Sequence, residues 1–364
     1  MKSRTRFSKS QHQSDPAGAP SRLDWYPLLR TALFGLDPEQ AHELSLRGLR
    51  LGHHLGLTRR CRQHRQQPVQ CMGLEFPNPV GVAAGLDKNA DYFEALGDLG
   101  FGFVEVGTVT PRPQPGNPRP RIFRIPHARA MINRLGFNNK GVDYLVERVR
   151  KRRFTGVLGI NIGKNFDTPL DRAGDDYAHC LQKVYASADY VAVNISSPNT
   201  RDLRDLQSEK ALDRLLERLC SERLKLAEQH QRFVPLALKI APDLTSQEIS
   251  TIAQRVRAHG IEAILATNTS IDHSAIAGLE HGDETGGLSG APLKSRADQV
   301  LAELAAQLTP STTLIGVGGI CSGQDAVDKI QLGASLVQCY TGLVYRGPGL
   351  LAECLEAIAR QRAA

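Results

Sequence analysis

The chain has 364 residues, of which 41% are hydrophobic and 23% charged, with 33 glycines and 20 prolines. That composition excludes global disorder and allows one large core behind many tight loops. The formal net charge of +7 resides entirely in the first 70 residues, where twelve Lys and Arg accompany five acids, so a neutral body with a basic N-terminal appendage is expected. Such an appendage suits an anionic surface, either lipid or nucleic acid.

Residues 1–22 are basic, polar and contain Pro and Gly. They read as a disordered tail, and their scarcity of acids would also suit a transit peptide. From Asp24 the run DWYPLLRTALFGLDPEQAHELSLRGLRLGHHLGL predicts two short helices. Gly35 ends the first; Asp37, Pro38 and Gln40 supply a cap, a first-turn proline and a capping-box spacing for the second. On the second helix Ala41, Leu44, Leu51 and Leu55 share one side, with Leu46 and Leu49 nearly opposite. One apolar face can pack on the body, and the other needs a second partner. No stretch approaches the ~18 uninterrupted apolar residues of a spanning helix, and no signal-peptide core follows the basic start. Residues 23–67 are therefore expected to form a helical subdomain that lies on a membrane, a plain helical subdomain being the alternative.

Residues 68–364 form the body. VQCMGLEFPNPV after Pro68 predicts a hairpin. Eight buried strand-like runs follow: VGVAAG (80–85), GFVEVG (102–107), VLGINIG (157–163), YVAVNIS (190–196), PLALKI (235–240), EAILATN (262–268), TLIGVGG (313–319) and SLVQCY (335–340). Helical segments at 91–99, 210–231, 246–258, 296–307 and 324–331 separate most of them. Eight such units predict an α/β fold, a (β/α)8 TIM barrel, because a doubly wound sheet more often shows five or six.

In a barrel the chemistry sits at the C-terminal ends of the strands, and that is where this sequence turns polar. Gly85, Asp87, Lys88 and Asn89 follow the first strand, and Asn161 ends the third. Asn194, Ser197 and Asn199 follow the fourth, Lys239 lies on the fifth, and Thr267, Asn268 and Thr269 follow the sixth. INRLGFNN, inserted after the second strand, adds Asn133 and Asn138. One such Asn is ordinarily a turn residue; six segments delivering Asn, Thr or Lys to one rim mark a site. Asn offers an acceptor beside a donor, matching a flat ring whose edge alternates C=O and N–H, as in a pyrimidinedione. Lys88 and Lys239 suit a carboxylate or a delocalised anion. TGGLSG (285–290), GVGG (316–319) and YTG (340–342) predict a phosphate cradle, and GVGGIC lacks the GxGxxG spacing of a dinucleotide fold. Seven cysteines without CxxC pairs or metal-ligand spacing predict reduced thiols, no zinc and a cytoplasmic setting. Hydrolysis and metal chemistry are disfavoured, since neither a Ser-His-Asp arrangement nor flanking carboxylates can be read.

AAGLDKN, GTVTPRPQPGNPRPR, INRLGFNNKG, GINIGKN, NISSPNT, ALKIAPDL, ATNT, GGLSG, IGVGGI and LVQCYTG occur in this order. Together, from about Trp25 to the C-terminus, they resemble dihydroorotate dehydrogenases of the quinone-dependent, membrane-associated class (class 2). The resemblance implies an FMN-binding barrel that oxidises dihydroorotate to orotate in pyrimidine biosynthesis and passes the electrons to a quinone. Ser197, where soluble classes place Cys, and the N-terminal helices point to this class. By the resemblance Ala84, Gly85, Leu86, Asp87, Lys88, Thr108, Asn161, Asn194, Lys239, Thr267, Gly290, Gly319, Tyr340 and Thr341 would contact FMN. Lys88, Asn133, Arg134, Leu135, Gly136, Phe137, Asn194, Asn199, Asn268 and Thr269 would hold the substrate. Ser197 would remove the C5 proton as the C6 hydride passes to flavin N5, its own proton relayed through Thr200 or a water near Phe137. Lys239 would stabilise negative charge on the flavin, and His42 and Arg124 would line a quinone path.

The expected setting is that of a peripheral membrane protein at the cytoplasmic face of the cell inner membrane, monomeric, meeting anionic lipid and no nucleic acid. Two other readings stay open: an FMN barrel acting on RNA, such as a tRNA dihydrouridine synthase, and a non-catalytic ligand-binding barrel. The N-terminal position of the charge and the Leu-rich helices argue against the first.

Overall fold

Met72 and Gly73, with φ of 54° and 71°, turn β1 (Val69–Cys71) back onto β2 (Leu74–Phe76) in the two-residue hairpin that the sequence predicts. This hairpin plugs one end of a closed barrel. Val69, Cys71, Met72 and Leu74 pack against an interior cluster containing Phe76, Phe103, Tyr190 and Leu336, and Phe76 meets Phe103 edge to face at 5.3 Å. The computed structural model describes residues 26–58 and 66–363; the expected tail at 1–22 and Cys61 lie outside them.

The barrel begins with β3 (Val80–Val82) and β4 (Phe103–Val109). An insertion then forms β5 (Ile122–Ile125) and β6 (Ala130–Asn133) before β7 (Val157–Ile162), β8 (Tyr190–Asn194), β9 (Leu236–Ile240) and β10 (Ala263–Ala266) resume it. β11 (Gly287–Gly290) leaves the barrel to pair antiparallel with β6, and β12 (Thr313–Val317) and β13 (Leu336–Cys339) close the circle against β3. The barrel pairs are all parallel and follow chain order. Each of the eight predicted runs is one barrel strand, and most stop short of the predicted limit because their polar ends leave the ladder for the mouth. TGGLSG differs from its expected role: residues 287–290 form an edge strand of the β5–β6–β11 sheet, and the loop proper is confined to residues 285 and 286.

Two helices precede the barrel. α1 (Tyr26–Phe34) stops at Gly35, and α2 (Pro38–His54) opens with Asp37 Oδ1 accepting the N–H groups of Glu39 and Gln40, both at 3.0 Å. The two sides of α2 meet different surroundings. Leu46 is buried in the main core with Leu49 against it, whereas Leu44, Leu51 and Leu55 are more than half exposed. Burying a leucine stabilises by about 1.5–3 kcal/mol, so Leu46 favours docking and the exposed three forgo that term. Ala41, grouped with the exposed leucines by helical spacing, is nevertheless buried on this helix, which packs beside α1, α3 and β5.

The outer layer comprises α3 (Phe93–Gly97), α4 (Val142–Val149), α5 (Ala173–Val184), α6 (Glu209–His230), α7 (Ser246–Ala258), α8 (Lys294–Ala305), α9 (Gly323–Gln331), α10 (Thr341–Arg346) and α11 (Gly349–Ala363). Their apolar stripes cover the strands. On α6, for example, Leu212, Leu215, Leu216, Leu219 and Leu226 are buried at helical spacing. α7 starts with a full capping box between Thr245 and Glu248. The five helices predicted from the sequence are α3, α6, α7, α8 and α9.

Candidate active site

At the C-terminal mouth of the barrel, strand ends and the insertion enclose a cavity that opens to solvent. Ala84, Gly85 and Lys88 line it from the loop after β3, Thr108 from β4, and Asn133, Leu135, Gly136 and Phe137 from the insertion. Asn194, Ser197 and Asn199 come from β8 and its loop, Lys239 from β9, Thr267, Asn268 and Thr269 from the segment after β10, and Gly290, Gly319, Tyr340 and Thr341 from the opposite side. Most of the polar strand ends picked out in the sequence thus converge on one space, whereas Asp87, Asn89, Asn138 and Asn161 are not in its lining.

A hydrogen-bond relay orients the amides. Asn161 Nδ2 donates to Glu105 Oε1 at 2.9 Å, which leaves Asn161 Oδ1 to accept from Thr108 Oγ1 at 2.6 Å. Thr108 Oγ1 in turn accepts from Asn194 Nδ2 at 3.0 Å, and Asn194 Oδ1 accepts from Asn268 Nδ2 at 3.3 Å and from Ser196 Oγ at 3.1 Å. Each of these amides has one orientation: the Glu105 carboxylate, which as an ion can only accept, fixes Asn161, and the Ser196 backbone N–H, which can only donate, fixes Asn194 by its bond to Oδ1 at 3.2 Å. On the insertion side Asn199 Nδ2 donates to Asn133 O at 3.0 Å and to Asn133 Oδ1 at 3.2 Å, tying the β8 loop to β6.

The charged groups are buried beneath and beside this array. Lys239 Nζ lies 3.9 Å from Glu105 Oε1, and burial lowers the lysine's pKa while the carboxylate's charge opposes the shift. Burial also lowers Lys88 to about 8, and its ammonium donates to Gly85 O at 3.1 Å. The Tyr340 hydroxyl, raised to about 12 by burial, reaches the same carbonyl at 3.4 Å. Ser197 is buried at the wall with its Oγ accepting the Asn199 N–H at 3.3 Å. Thr200 Oγ1, three residues on, is buried without a partner.

Several expected site residues stand outside the lining. Leu86 is in the core, and Asp87, raised to about 6 by burial, accepts the N–H groups of Asp91 and Tyr92 at 2.9 and 2.7 Å and so shapes the approach to α3. Asn161 lies one hydrogen bond behind Thr108. Arg134 turns away to Glu284 at 2.7 Å and stacks over Phe123 at 4.5 Å. His42, half-buried on α2, contacts the Leu86 backbone; burial, with the Lys88 charge, holds its imidazole down to about 4. Arg124 donates to Leu33 O at 3.1 Å and to Leu36 O, and stacks 4.6 Å over Phe34, clamping the end of α1. Glu105, Tyr190 and Gln338 were not anticipated. Their only trace in the sequence is a polar residue inside an otherwise apolar strand.

The profile of the family described as dihydroorotate dehydrogenase matches residues 67–361, which contain all the cavity-lining residues. The chain belongs to the dihydroorotate dehydrogenase family. It is 57% identical over 335 residues to a protein of Thiobacillus denitrificans named dihydroorotate dehydrogenase (quinone), covering 92% of this chain and 99% of that one. A protein of the same name from Acinetobacter baylyi is 55% identical, with 92% and 99% covered. The dihydroorotate dehydrogenase of Eimeria tenella, solved in complex with ferulenol, superposes with a TM-score of 0.82 at 37% identity, covering 90% of this chain and 93% of that one.

Dihydroorotate dehydrogenases of this family are FMN-dependent oxidoreductases, and the cavity fits that group. Gly290 (φ 98°) and Gly319 (φ 77°) form close backbone walls: a Cβ there would meet Arg129 O at 2.2 Å and Lys294 Cα at 2.4 Å. Thr269 Oγ1 and Gln338 Oε1 are buried in the lining without partners, one able to donate or accept and the other an acceptor. Those groups, with the ammonium of Lys239, suit a polar ring edge; the glycines leave room for a phosphate chain.

Proposed function

We propose that this chain oxidises dihydroorotate to orotate in pyrimidine biosynthesis, with FMN in the barrel mouth and a quinone as final electron acceptor. The observation that carries the reading is the buried Ser197 hydroxyl set in the same cavity wall as the oriented amides of Asn133, Asn194, Asn199 and Asn268. Those amides complement the alternating C=O and N–H edge of a dihydropyrimidine. FMN, when bound, supplies the hydride acceptor.

Ser197 Oγ takes the C5 proton as its own hydroxyl proton is passed on, so the oxygen ends as a neutral hydroxyl. The Asn199 N–H on that oxygen stabilises the alkoxide character it gains as its proton leaves, and the unpartnered Thr200 hydroxyl is available to carry that proton onward. Lys88 faces the substrate's carboxylate, and Leu135 and Phe137 cover the cavity and exclude water. Lys239 places a cation at the cavity floor, where low dielectric strengthens its field.

The quinone enters from a bilayer on which α1 and α2 rest, past His42 and Arg124. The exposed Leu28, Leu44, Leu51, Leu55 and Leu57 supply the apolar contact, and anionic headgroups meet the basic appendage. No helix among the described residues is long and apolar enough to cross a membrane. The proposed setting is that of a monomeric peripheral protein on the cytoplasmic face of the inner membrane. Anaerobic addition of dihydroorotate should bleach the flavin absorbance of the purified protein, and a long-chain quinone should restore it. A flavin that stays oxidised under dihydroorotate removes the reading.

A further inference from the structure

Glu105 is fully buried on β4, and its side chain points into the barrel, where a lone carboxylate would be strongly disfavoured. Four groups from four other strands meet it. Asn161 Nδ2 donates to Oε1 at 2.9 Å; the Tyr190 hydroxyl and Gln338 Nε2 donate to Oε2 at 2.7 and 2.9 Å; Lys239 Nζ stands 3.9 Å from Oε1. Only the first three are hydrogen bonds. The ammonium of Lys239 is in the cavity lining, near enough to feel the carboxylate's charge yet not spent on it.

We propose that Glu105 is the positioning residue of this site: its carboxylate holds Lys239 as a cation at the cavity floor and fixes the direction of the Asn161 amide behind Thr108. The inference deepens the proposed function, resting on it for the ligand that Lys239 faces. The charge relationship follows from the surroundings of Lys239. In the ladder it pairs with Asn194 of β8 and Leu265 of β10, neither of which ionises. Tyr190, also on β8, keeps its proton because burial and the Glu105 charge both raise its pKa. Among the described residues Glu105 is thus the one acid close to Lys239, and it opposes the loss of the proton that burial promotes. The polarity of Asn161 follows from donor and acceptor parity. An ionised carboxylate only accepts, so Asn161 must point its N–H₂ at Glu105 and its oxygen at Thr108. At the other end the Ser196 backbone N–H donates to Asn194 Oδ1 at 3.2 Å and fixes that amide independently, the two meeting at the Thr108 hydroxyl. A glutamine at 105 would keep the shape, remove the charge and release the constraint on Asn161 alone.

The experiment compares Glu105→Gln with Glu105→Asp in the FMN-loaded full chain, following flavin reduction by dihydroorotate in single turnovers across pH. With the counter-charge removed Lys239 gives up its proton sooner, so the alkaline limb should move down by about one pH unit or more in Glu105→Gln and stay in place in Glu105→Asp. A folded, FMN-containing Glu105→Gln whose limb coincides with that of the unaltered protein overturns the proposal. Should Glu105→Gln fail to fold or to hold FMN, the reciprocal variants decide. Lys239→Gln should strand the carboxylate and show an infrared band of a protonated carboxyl group at neutral pH, absent from the unaltered protein and from Lys239→Arg. Lys239→Gln without that band overturns the proposal. The infrared result needs no turnover, so a protein whose flavin ignores dihydroorotate would refute the proposed function while leaving the Glu105 inference decidable.

Discussion

The Thr108 hydroxyl, 2.6 Å from Asn161 Oδ1, joins two strands of the barrel through a hydrogen bond in which threonine donates and asparagine accepts. Because the same oxygen accepts from Asn194 Nδ2, one hydroxyl links the barrel interior to the cavity wall. Thr108→Val keeps the shape and removes both bonds, leaving an amide oxygen and an amide N–H unpaired in a buried site. Destabilisation of about 1–3 kcal/mol is expected, with weaker FMN binding, while Thr108→Ser restores both. Thermal unfolding and fluorescence titration with FMN check this.

Ser197→Ala removes the proposed base and leaves the four asparagine amides in place. Flavin reduction by dihydroorotate should slow by roughly 10²–10⁴-fold, and orotate affinity should change little, since the hydroxyl acts on the C5 proton rather than on the ring edge. Stopped-flow reduction and equilibrium binding of orotate separate the two effects. An unchanged single-turnover rate would exclude Ser197 as the base.

His42 gives the docking of α2 a dependence on pH. Burial, aided by the Lys88 charge, depresses its pKa from 6.5 to about 4, so between those values the unfolded or undocked chain binds more protons than the folded one. Stability from this group is therefore complete above pH 6.5 and is lost as pH falls towards 4. The protection factors of the α2 amides, taken relative to the intrinsic exchange rate at each pH, should fall between pH 7 and pH 5 more in the unaltered protein than in His42→Gln. An equal fall in both would show that His42 is not the group responsible.

The outward face of α2 provides the test of the membrane proposal. Changing Leu44, Leu51 and Leu55 together to Gln alters exposed side chains only, so flavin reduction should be preserved. Oxidation by a long-chain quinone and binding to anionic vesicles should both fall, and what binding remains should weaken with salt as the basic term is screened. Leu46→Gln acts differently: it buries a polar group in the core and should unfold or undock α2 at a cost of about 2–5 kcal/mol, seen in thermal unfolding.

Eight apolar runs separated by helical segments were enough to read a (β/α)8 barrel, because burial on both faces of a parallel strand writes a continuous apolar signal into local sequence. The rim was equally legible. A barrel brings strand ends together whatever the details of packing, so Asn194, Ser197, Lys239 and Asn268 could be assigned to one site from their positions alone. The two N-terminal helices, their Asp37 cap and their two-sided apolar pattern were local signals of the same kind.

Closure of the barrel decided the rest. Glu105 meets Tyr190 across 85 positions and Gln338 across 233, and no local pattern links residues so far apart. Each looks like an isolated polar interruption until β4, β8 and β13 share an interior. The sheet of β5, β6 and β11 was hidden for the same reason, since β11 pairs with a strand more than 150 residues earlier and its glycines mimic a loop. Helical spacing could divide the leucines of α2 into two faces, but only docking against the body determined that Leu46 is buried while Leu44, Leu51 and Leu55 meet solvent. Arg134 likewise sits in a motif whose neighbours line the cavity, and the nearby Glu284 draws its guanidinium away. Sequence determined which groups are present and which strand end carries them; long-range packing alone determined their partners, because hydrogen-bond geometry and counter-charge depend on distances that chain separation does not encode.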